Sequence, residues 1–323
     1  MRRRPPPFRA AAVAVLSLAL PAAGCRREAA HVFDESKPLD AEFSGAAAFE
    51  HTRKIVEMGP RPAGSENLEK SRQLIEETLT AAGWTTARQS LKQKTPEGEM
   101  EFVNLRARFP ANGETGDALW KKPARVLLCS HYETKKFAGF AFAGANDPGS
   151  SLGVLLHFAE IAGKRPDFAR RVELVFFDGE ESIGQYITLK DGLYGSHHYA
   201  AELKIQSGGR ADRLPRWGVL LDLVGDKDLN VRLPADSPEP LADRLLSAAR
   251  DLGHEKYFGI SRSSIVDDHV PLNKIGVPTL DVIDFDYKYW HSSTDTLDKL
   301  SPESLEIVGR VTMRLIEKYL LAD

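Results

Sequence analysis

The hydrophobic positions of this chain fall into alternating strand-like and helix-like blocks from about residue 44 onward. Four dense apolar runs, ARVLLCSHY, RRVELVFFD, WGVLLDLVG and VPTLDVIDF, have the length and continuous hydrophobicity of strands that are buried on both faces. Helix-like segments separate these runs, over about 150–163, 194–205, 238–252 and 302–321. The alternation predicts an α/β fold with a mainly parallel or mixed central sheet and helices on both faces.

The chain before these runs predicts two helices and a hairpin. Ser44 is placed to begin a helix that runs to about Met58, where Gly59 and Pro60 stop it. Ser65 is placed to cap a second, amphipathic helix. TTARQSLKQ and MEFVNLRARF alternate in polarity and are separated by the turn-like TPEGE, a pattern that predicts an antiparallel hairpin.

Composition and charge exclude some classes of function. The 323 residues are 42% hydrophobic and carry a formal net charge of −3, with no Lys/Arg block beyond the extreme N-terminus. This balance gives no electrostatic argument for nucleic acid as a partner. The mean hydropathy is −0.31, and after residue 25 there is no apolar run of about 18 residues, so we expect no internal membrane span.

The N-terminus predicts export. A basic start, Arg2–Arg4, precedes a short apolar stretch and the sequence LPAAGC, which resembles a bacterial lipobox ending at Cys25. We expect residues 1–25 to be a signal peptide and Cys25 to carry lipid, which would hold the protein at the periplasmic or cell-surface side of a bacterial membrane. Simple secretion and a disordered cytoplasmic tail are the alternatives. Residues 26–43 then predict a flexible tether, and 44–323 a single catalytic domain that we expect to be monomeric.

The remaining cysteine, Cys129, lies in the apolar run VLLCS. It predicts a buried strand thiol, and no disulfide framework supports the fold.

Potential metal ligands follow the predicted strands. In parallel sheets, ligands bind beyond the carboxyl ends of the strands, so these side chains are expected to meet at one edge. Zinc favours nitrogen and carboxylate oxygen ligands, and a catalytic zinc needs about three of them plus an open position. The candidates lie in SHYET, GANDPGSS, FFDGEES, LLDLVGD and YWHSSTD: His131, Asp147, Glu181, Asp222 and His291.

The segment FFDGEES is the strongest local signal, because two adjacent carboxylates leave a buried strand together. Consecutive side chains in extended chain point in different directions. One carboxylate, Glu181, can therefore bind metal while Glu180 faces substrate and moves protons. The sequence thus predicts a metal-dependent acyl-transfer enzyme.

Three other features carry weaker predictions. Trp290 could form a wall of the substrate pocket or could have only a packing role. Asp267, Asp268 and His269 in DDHVPL could form hydrogen bonds around the metal ligands or could cap the following helix. His197 and His198 point about 100° apart on a helix and so rarely share one ion.

SHYET, GANDPGSS, FFDGEES, LLDLV, DDHVPL and WHSSTDT, in this order, resemble the zinc aminopeptidase family that also contains the animal-type glutaminyl cyclases. The resemblance implies a phosphorylase/hydrolase-like α/β fold with the active site at the strand C-terminal ends. It also implies that Asp147, Glu181 and His291 hold one Zn²⁺, that Glu180 is the proton shuttle, and that Asp222 and Asp267 tie Glu180 into a hydrogen-bond network.

Within this family, the segment DGLYGSHHYA, the long spacer before it and Trp290 beside His291 resemble the cyclase branch. That branch implies cyclisation of an N-terminal glutamine of a peptide or protein to pyroglutamate, with release of ammonia. Two positions depart from the pattern. Glu133 replaces an aspartate that usually orients His131, and Tyr186 or Ile187 stands near the place of a second Trp.

Two alternatives remain open at this point. His131 and Asp222 complete the five-ligand set with which aminopeptidases bind two zinc ions, so an aminopeptidase that removes N-terminal residues is the competing enzyme. The third reading is a binding lipoprotein that has lost its chemistry, although no ligand is missing.

Overall fold

A six-stranded sheet forms the centre of the computed structural model. Its strands are ordered β1-β2-β4-β3-β5-β8, and two further strands, β6 and β7, form a small separate parallel pair. The bounds are β1 Thr85–Thr95, β2 Gly98–Arg108, β3 Val126–His131, β4 Val172–Phe177, β5 Trp217–Asp222, β6 Val231–Leu233, β7 Phe258–Ile260 and β8 Thr279–Ile283.

The pairing direction changes once across the sheet. β1 and β2 form an antiparallel hairpin, and β2 is antiparallel to β4. β4, β3, β5 and β8 are parallel to their neighbours. The carboxyl ends of these four strands therefore lie at one edge of the sheet.

Helices cover both faces of the sheet. They are α1 Gly45–Val56, α2 Glu66–Ala81, α3 Asp117–Lys121, α4 Ser151–Gly163, α5 Pro166–Ala169, α6 Tyr194–Ser207, α7 Glu239–Asp251, α8 His269–Lys274 and α9 Pro302–Arg314. On one face, Leu127 and Cys129 of β3 pack against Tyr199 of α6 and Leu272 of α8. On the other face, α4 contacts β3 and packs with α1 and α9.

The predicted elements are confirmed, together with their start signals. Ser44 precedes α1 and accepts a hydrogen bond from Ala47 N at 3.3 Å, and Ser65 precedes α2 and accepts one from Leu68 N at 3.2 Å. The hairpin and the four core strands lie where the pattern placed them. Cys129 is a fully buried free thiol. The sequence did not predict β6 and β7, because three-residue strands are too short to show a period.

The structure describes residues 37–111, 114 and 116–322, together with Met1. The predicted signal peptide and most of the predicted tether lie outside these residues. The tether over 26–43 was placed too far along the chain, because Leu39–Glu42 form a short 3₁₀ helix. Asp40 there is buried and accepts a 2.7 Å hydrogen bond from Arg314 of α9, a long-range ion pair that no local pattern reveals.

Within the described ranges, no helix combines the length and the apolar character that crossing a bilayer requires.

Candidate metal centre and active-site cavity

Four parallel strands bring the predicted ligands to one edge of the sheet. His131 is the last residue of β3 and Asp222 is the last residue of β5. Glu180 and Glu181 follow β4, and His291 lies in the segment after β8. The strand order puts β3 between β4 and β5, so side chains distant in sequence meet around His131.

Asp147 joins two groups of ligands. One oxygen of Asp147 lies 3.2 Å from His131 Nε2, which in turn lies 3.4 Å from Asp222 Oδ1. The other oxygen lies 3.4 Å from His291 Nε2, which lies 2.9 Å from Glu181 Oε1. Each group, His131–Asp147–Asp222 and Asp147–Glu181–His291, has its ligand atoms close enough together to hold one ion.

The loop that carries Asp147 is fixed by a buried carboxylate. Asp295 accepts hydrogen bonds from the backbone N–H groups of Asn146 at 2.9 Å and Asp147 at 3.2 Å. The hydroxyl of Tyr287 donates to the same carboxylate at 2.7 Å. Asp295, which lies four residues after His291, thus holds the loop through its backbone and sets the position of Asp147.

A buried arginine holds the same loop at its start. Arg61 is fully buried and donates to the carbonyl oxygens of Ala143 at 2.7 Å and Gly144 at 3.0 Å. Burial lowers the pKa of Arg61 to about 10, which leaves it charged at neutral pH. Its positive charge acts on Asp147 and Asp295, and so partly offsets the negative charge of the site.

Aromatic rings enclose the His291 imidazole. Trp290 stacks on it with a centroid distance of 3.9 Å and an interplanar angle of 17°. Phe137 and Phe142 meet the ring in edge-on contacts at 5.3 and 5.8 Å. The backbone of His291 has φ +51°, a conformation that costs free energy outside glycine and is held by its surroundings.

Glu133 does not orient His131. Its Oε2 lies 3.8 Å from His131 Nδ1, beyond hydrogen-bond range, while its Oε1 accepts from Glu181 N at 3.1 Å. The longer side chain of glutamate thus supports the backbone of Glu181 rather than the imidazole.

Glu180 and Glu181 have different contacts, as their adjacency predicted. Glu181 pairs with His291, whereas the Glu180 side chain lines the cavity. Burial raises the pKa of Glu180 well above its usual range, and the negative charge of Glu181 adds to the effect. Asp267 raises it further by the same repulsion. A carboxyl group with a raised pKa is suited to exchange protons with a substrate.

The negative charges of the two ligand groups favour bound cations. Burial opposes a charged imidazole at His291, yet Asp147 and Glu181 raise its pKa to about 9. His131 also has a raised pKa despite burial, because Asp147 and Asp222 lie beside it. Among the described residues, the buried Asp222 Oδ1, which lies near His131 Nε2, has no hydrogen-bond partner. A set of imidazole nitrogens and carboxylate oxygens with an unpaired buried oxygen fits a zinc-type ion.

A cavity of about 280 Å³ opens above these ligands. Its floor is polar and is formed by Asp147, Glu180, Glu181, Asp222, Asp267 and His291. Its mouth is apolar, with exposed rings and side chains from Tyr186, Val266, Phe285 and Trp290. Trp290 borders the cavity and also packs on His291.

The structure brings together every residue that the sequence singled out for the site. Asp267 borders the cavity, and the exposed His197 and half-buried His198 on α6 take no part, as predicted. Sequence reasoning missed Lys135, whose buried ammonium donates to Ser182 O at 2.7 Å and lies 3.5 Å from Glu181 Oε2. It missed Arg61 and Phe137 as well. Only Asp295 carried a signal, because it lies in the same WHSSTD segment as His291.

Comparisons with known proteins agree with this geometry. A sequence model of peptidase family M28 matches residues 114–316. The glutaminyl-peptide cyclotransferase of Drosophila melanogaster is 26% identical over 315 residues, which cover 89% of this chain and 85% of that protein.

Two solved structures are similar over nearly their whole length. The glutaminyl cyclase of an Acidobacteriales bacterium is 33% identical with a TM-score of 0.75, over 89% of this chain and 98% of that one. The glutaminyl cyclase of Porphyromonas gingivalis is 26% identical with a TM-score of 0.73, over 85% and 98%.

Proposed function

Because this chain belongs to peptidase family M28 and is similar along its length to glutaminyl cyclases, we propose that it is a glutaminyl-peptide cyclotransferase. Its substrates are peptides or proteins that begin with glutamine, and its products are the pyroglutamyl peptide and ammonia. The observation that carries the proposal is the adjacent pair Glu180 and Glu181, which both border the cavity while only Glu181 contacts His291.

The cavity suits a single terminal residue. Its volume of about 280 Å³ lies just below the range of roughly 300–1,000 Å³ that ligand pockets span. The acidic floor favours a substrate with a positively charged α-ammonium, because five carboxyl groups border it. One N-terminal side chain can enter, and the rest of the peptide extends past the mouth.

We propose Zn²⁺ as the metal, held by Asp147, Glu181 and His291. When bound there, zinc would act as a Lewis acid that polarises the γ-carboxamide of the glutamine and stabilises negative charge on its oxygen.

Glu180 moves the protons of the reaction. It accepts a proton from the α-amine as the amine nitrogen attacks the γ-carbonyl carbon, and a new C–N bond closes the ring. It then donates that proton to the nitrogen of the former amide, whose C–N bond breaks as ammonia leaves. General acid–base catalysis of this kind contributes about 10²–10⁴ in rate. Asp222 and Asp267 support this role, because they border the same cavity and Asp267 helps keep the pKa of Glu180 high.

The substitution Glu180→Gln tests this role directly. Glutamine preserves the shape of the side chain but cannot carry the proton, so kcat should fall by about 10²–10⁴ while the metal content stays unchanged. Gln185→Glu is a suitable control, since it alters another residue that borders the cavity. Near-normal turnover of the Glu180→Gln protein would refute the role.

An aminopeptidase is the second candidate, and the shared ligand Asp147 favours it. Two ligand groups that meet at one carboxylate could hold two ions, with His131 and Asp222 binding the second. In that enzyme Glu180 would activate water to cleave the peptide bond.

Two peptides distinguish the candidates. A peptide that begins with glutamine and one that begins with leucine are incubated with the protein, and the products are identified by mass spectrometry. Pyroglutamate without cleavage supports the cyclotransferase. Release of free leucine would instead establish the aminopeptidase.

A further inference from the structure

A further group of metal-type ligands lies beside the active-site cavity. It consists of Asp267, His269 at the start of α8, and Asp281 in the middle of β8. One ligand atom from each residue lies within 4.8 Å of the other two, and His269 Nδ1 lies 3.6 Å from Asp281 Oδ2. None of the ligands of the two groups that share Asp147 belongs to it.

These side chains are buried with polar atoms left unpaired. Asp267 and His269 are each 3% exposed and Asp281 is 1% exposed. In the part of the chain that the structure describes, His269 Nδ1 and both carboxylate oxygens of Asp281 have no hydrogen-bond partner. Leaving such groups unpaired in the interior costs about 1–3 kcal/mol each, so buried polar groups normally have a partner.

The charged side chains around Asp281 indicate that the partner its carboxylate lacks is a cation. The charged groups that act on Asp281 are Asp222, Asp268 and Asp236, and all of them are acidic. Burial lowers the pKa of His269 to about 4, so its ring is neutral at physiological pH and can offer the Nδ1 lone pair to a metal. The distance from His269 Nδ1 to Asp281 is too long for a hydrogen bond between them.

A second opening gives access to this group from solvent. A cavity of about 460 Å³ is bordered by His269 and by the exposed Asp236, and it shares no bordering residue with the active-site cavity. Asp236 and Lys274 border this opening with opposite charges, and an ion that reaches His269 through it does not cross the active site.

We propose that His269 Nδ1 and the carboxylates of Asp267 and Asp281 bind a divalent cation of the zinc class, separate from the ions of the catalytic centre. One nitrogen and two carboxylate oxygens form a donor set that zinc accepts. The ion links the N-terminus of α8 to β8 and thereby fixes Asp267 at the wall of the active-site cavity.

Metal stoichiometry tests the proposal with the mature protein. Wild type, His269→Gln and Asp281→Asn are loaded with Zn²⁺, freed of excess metal by gel filtration, and measured by inductively coupled plasma mass spectrometry. Both variants should hold one equivalent fewer than wild type, whatever number the catalytic centre holds. His254→Gln, a half-buried histidine elsewhere, is the matched control and should hold the full number. Equal stoichiometry in wild type and both variants would overturn the proposal.

Circular dichroism establishes whether the variants fold. If both fail to fold, anomalous diffraction from wild-type crystals at the zinc edge decides the matter. A peak between His269 and Asp281 supports the site, and its absence refutes it. Because these measurements do not use the reaction, they hold whether the protein is a cyclotransferase or a peptidase.

Discussion

At the scale of single residues, two neighbouring glutamates at the candidate site have different surroundings. Glu181 contacts His291 at 2.9 Å, whereas Glu180 borders the cavity. The negative charge of Glu181 also raises the pKa of Glu180. Glu181 therefore tunes its neighbour, and the two side chains diverge where the chain bends after β4, with Gly179 at φ +74°.

The rings around His291 have a testable role in holding that ligand. Phe137→Ala removes an edge-on contact with the imidazole and should weaken zinc binding about 10-fold, as loss of supporting contacts around metal ligands typically does. Competition with a chromogenic chelator measures the affinity.

Phe140→Ala is the control for this change, because Phe140 stacks on Phe137 and not on His291. If Phe137→Ala binds zinc as tightly as wild type, the contact with Phe137 does not position His291.

At the scale of elements, α1 and α4 are joined by a partly buried polar network. His51 of α1 contacts Glu160 of α4 at 3.0 Å, and His157 contacts the same carboxylate at 2.9 Å. The backbone N–H of Ser44 donates to His157 Nε2 at 3.1 Å, which places the ring proton on Nδ1, where it is donated to Glu160. A protonated Nδ1 cannot bind metal, so this trio joins the helices and is not an ion site, although its ligand atoms lie close together.

This network predicts a pH dependence of stability. Burial opposes ionisation of Glu160, but hydrogen bonds from His157 and His51 lower its pKa from 4.5 to about 2. A lowered pKa in the folded state stabilises the fold above pH 4.5, and this contribution is lost as the pH falls from 4.5 to about 2. Because the carboxylate is partly exposed, the contribution is on the order of 1 kcal/mol.

Urea unfolding at pH 7 and at pH 3 measures this effect in wild type and in Glu160→Gln. The substitution should lower the free energy of unfolding at pH 7 and change it less at pH 3. Glu57→Gln, at an exposed ion pair on α1, is the control and should have little effect at either pH. A Glu160→Gln effect that is the same at both pH values would contradict the prediction.

At the scale of the whole molecule, the sheet, the helices and the candidate site all lie within the described residues. Asp40 links the segment before α1 to α9, because it accepts a hydrogen bond from Arg314. We propose that the residues ahead of this segment export the protein and anchor it at a bacterial membrane surface through lipid on Cys25. Multiple acyl chains hold a protein at a membrane far more firmly than one chain does.

Cys25→Ser tests the anchor in cells. The variant should move from the membrane fraction to the soluble fraction, which immunoblotting of the two fractions detects. Cys129→Ser is the control, because that buried thiol lies in β3 and takes no part in export. Membrane association that survives in the Cys25→Ser protein would exclude the lipid anchor.

The sequence by itself determined the architecture and the main ligands. Long runs such as VELVFF and WGVLLD predict buried strands because hydrophobic burial dominates their free energy, and carboxyl ends of parallel strands share one edge. His131, Glu181 and Asp222 could be placed together for that reason alone. The N-cap residues Ser44 and Ser65 could also be predicted from the sequence, since a cap acts within three residues.

Only the tertiary structure decided which side chains support those ligands. Arg61 reaches the Asp147 loop, Phe137 reaches His291, and Glu133 contacts Glu181 instead of His131. The juxtaposition of His269 with Asp281 likewise arises where α8 meets β8. These contacts depend on the side-chain directions and distances set when separate elements pack, and a linear pattern of polar and apolar residues does not contain them.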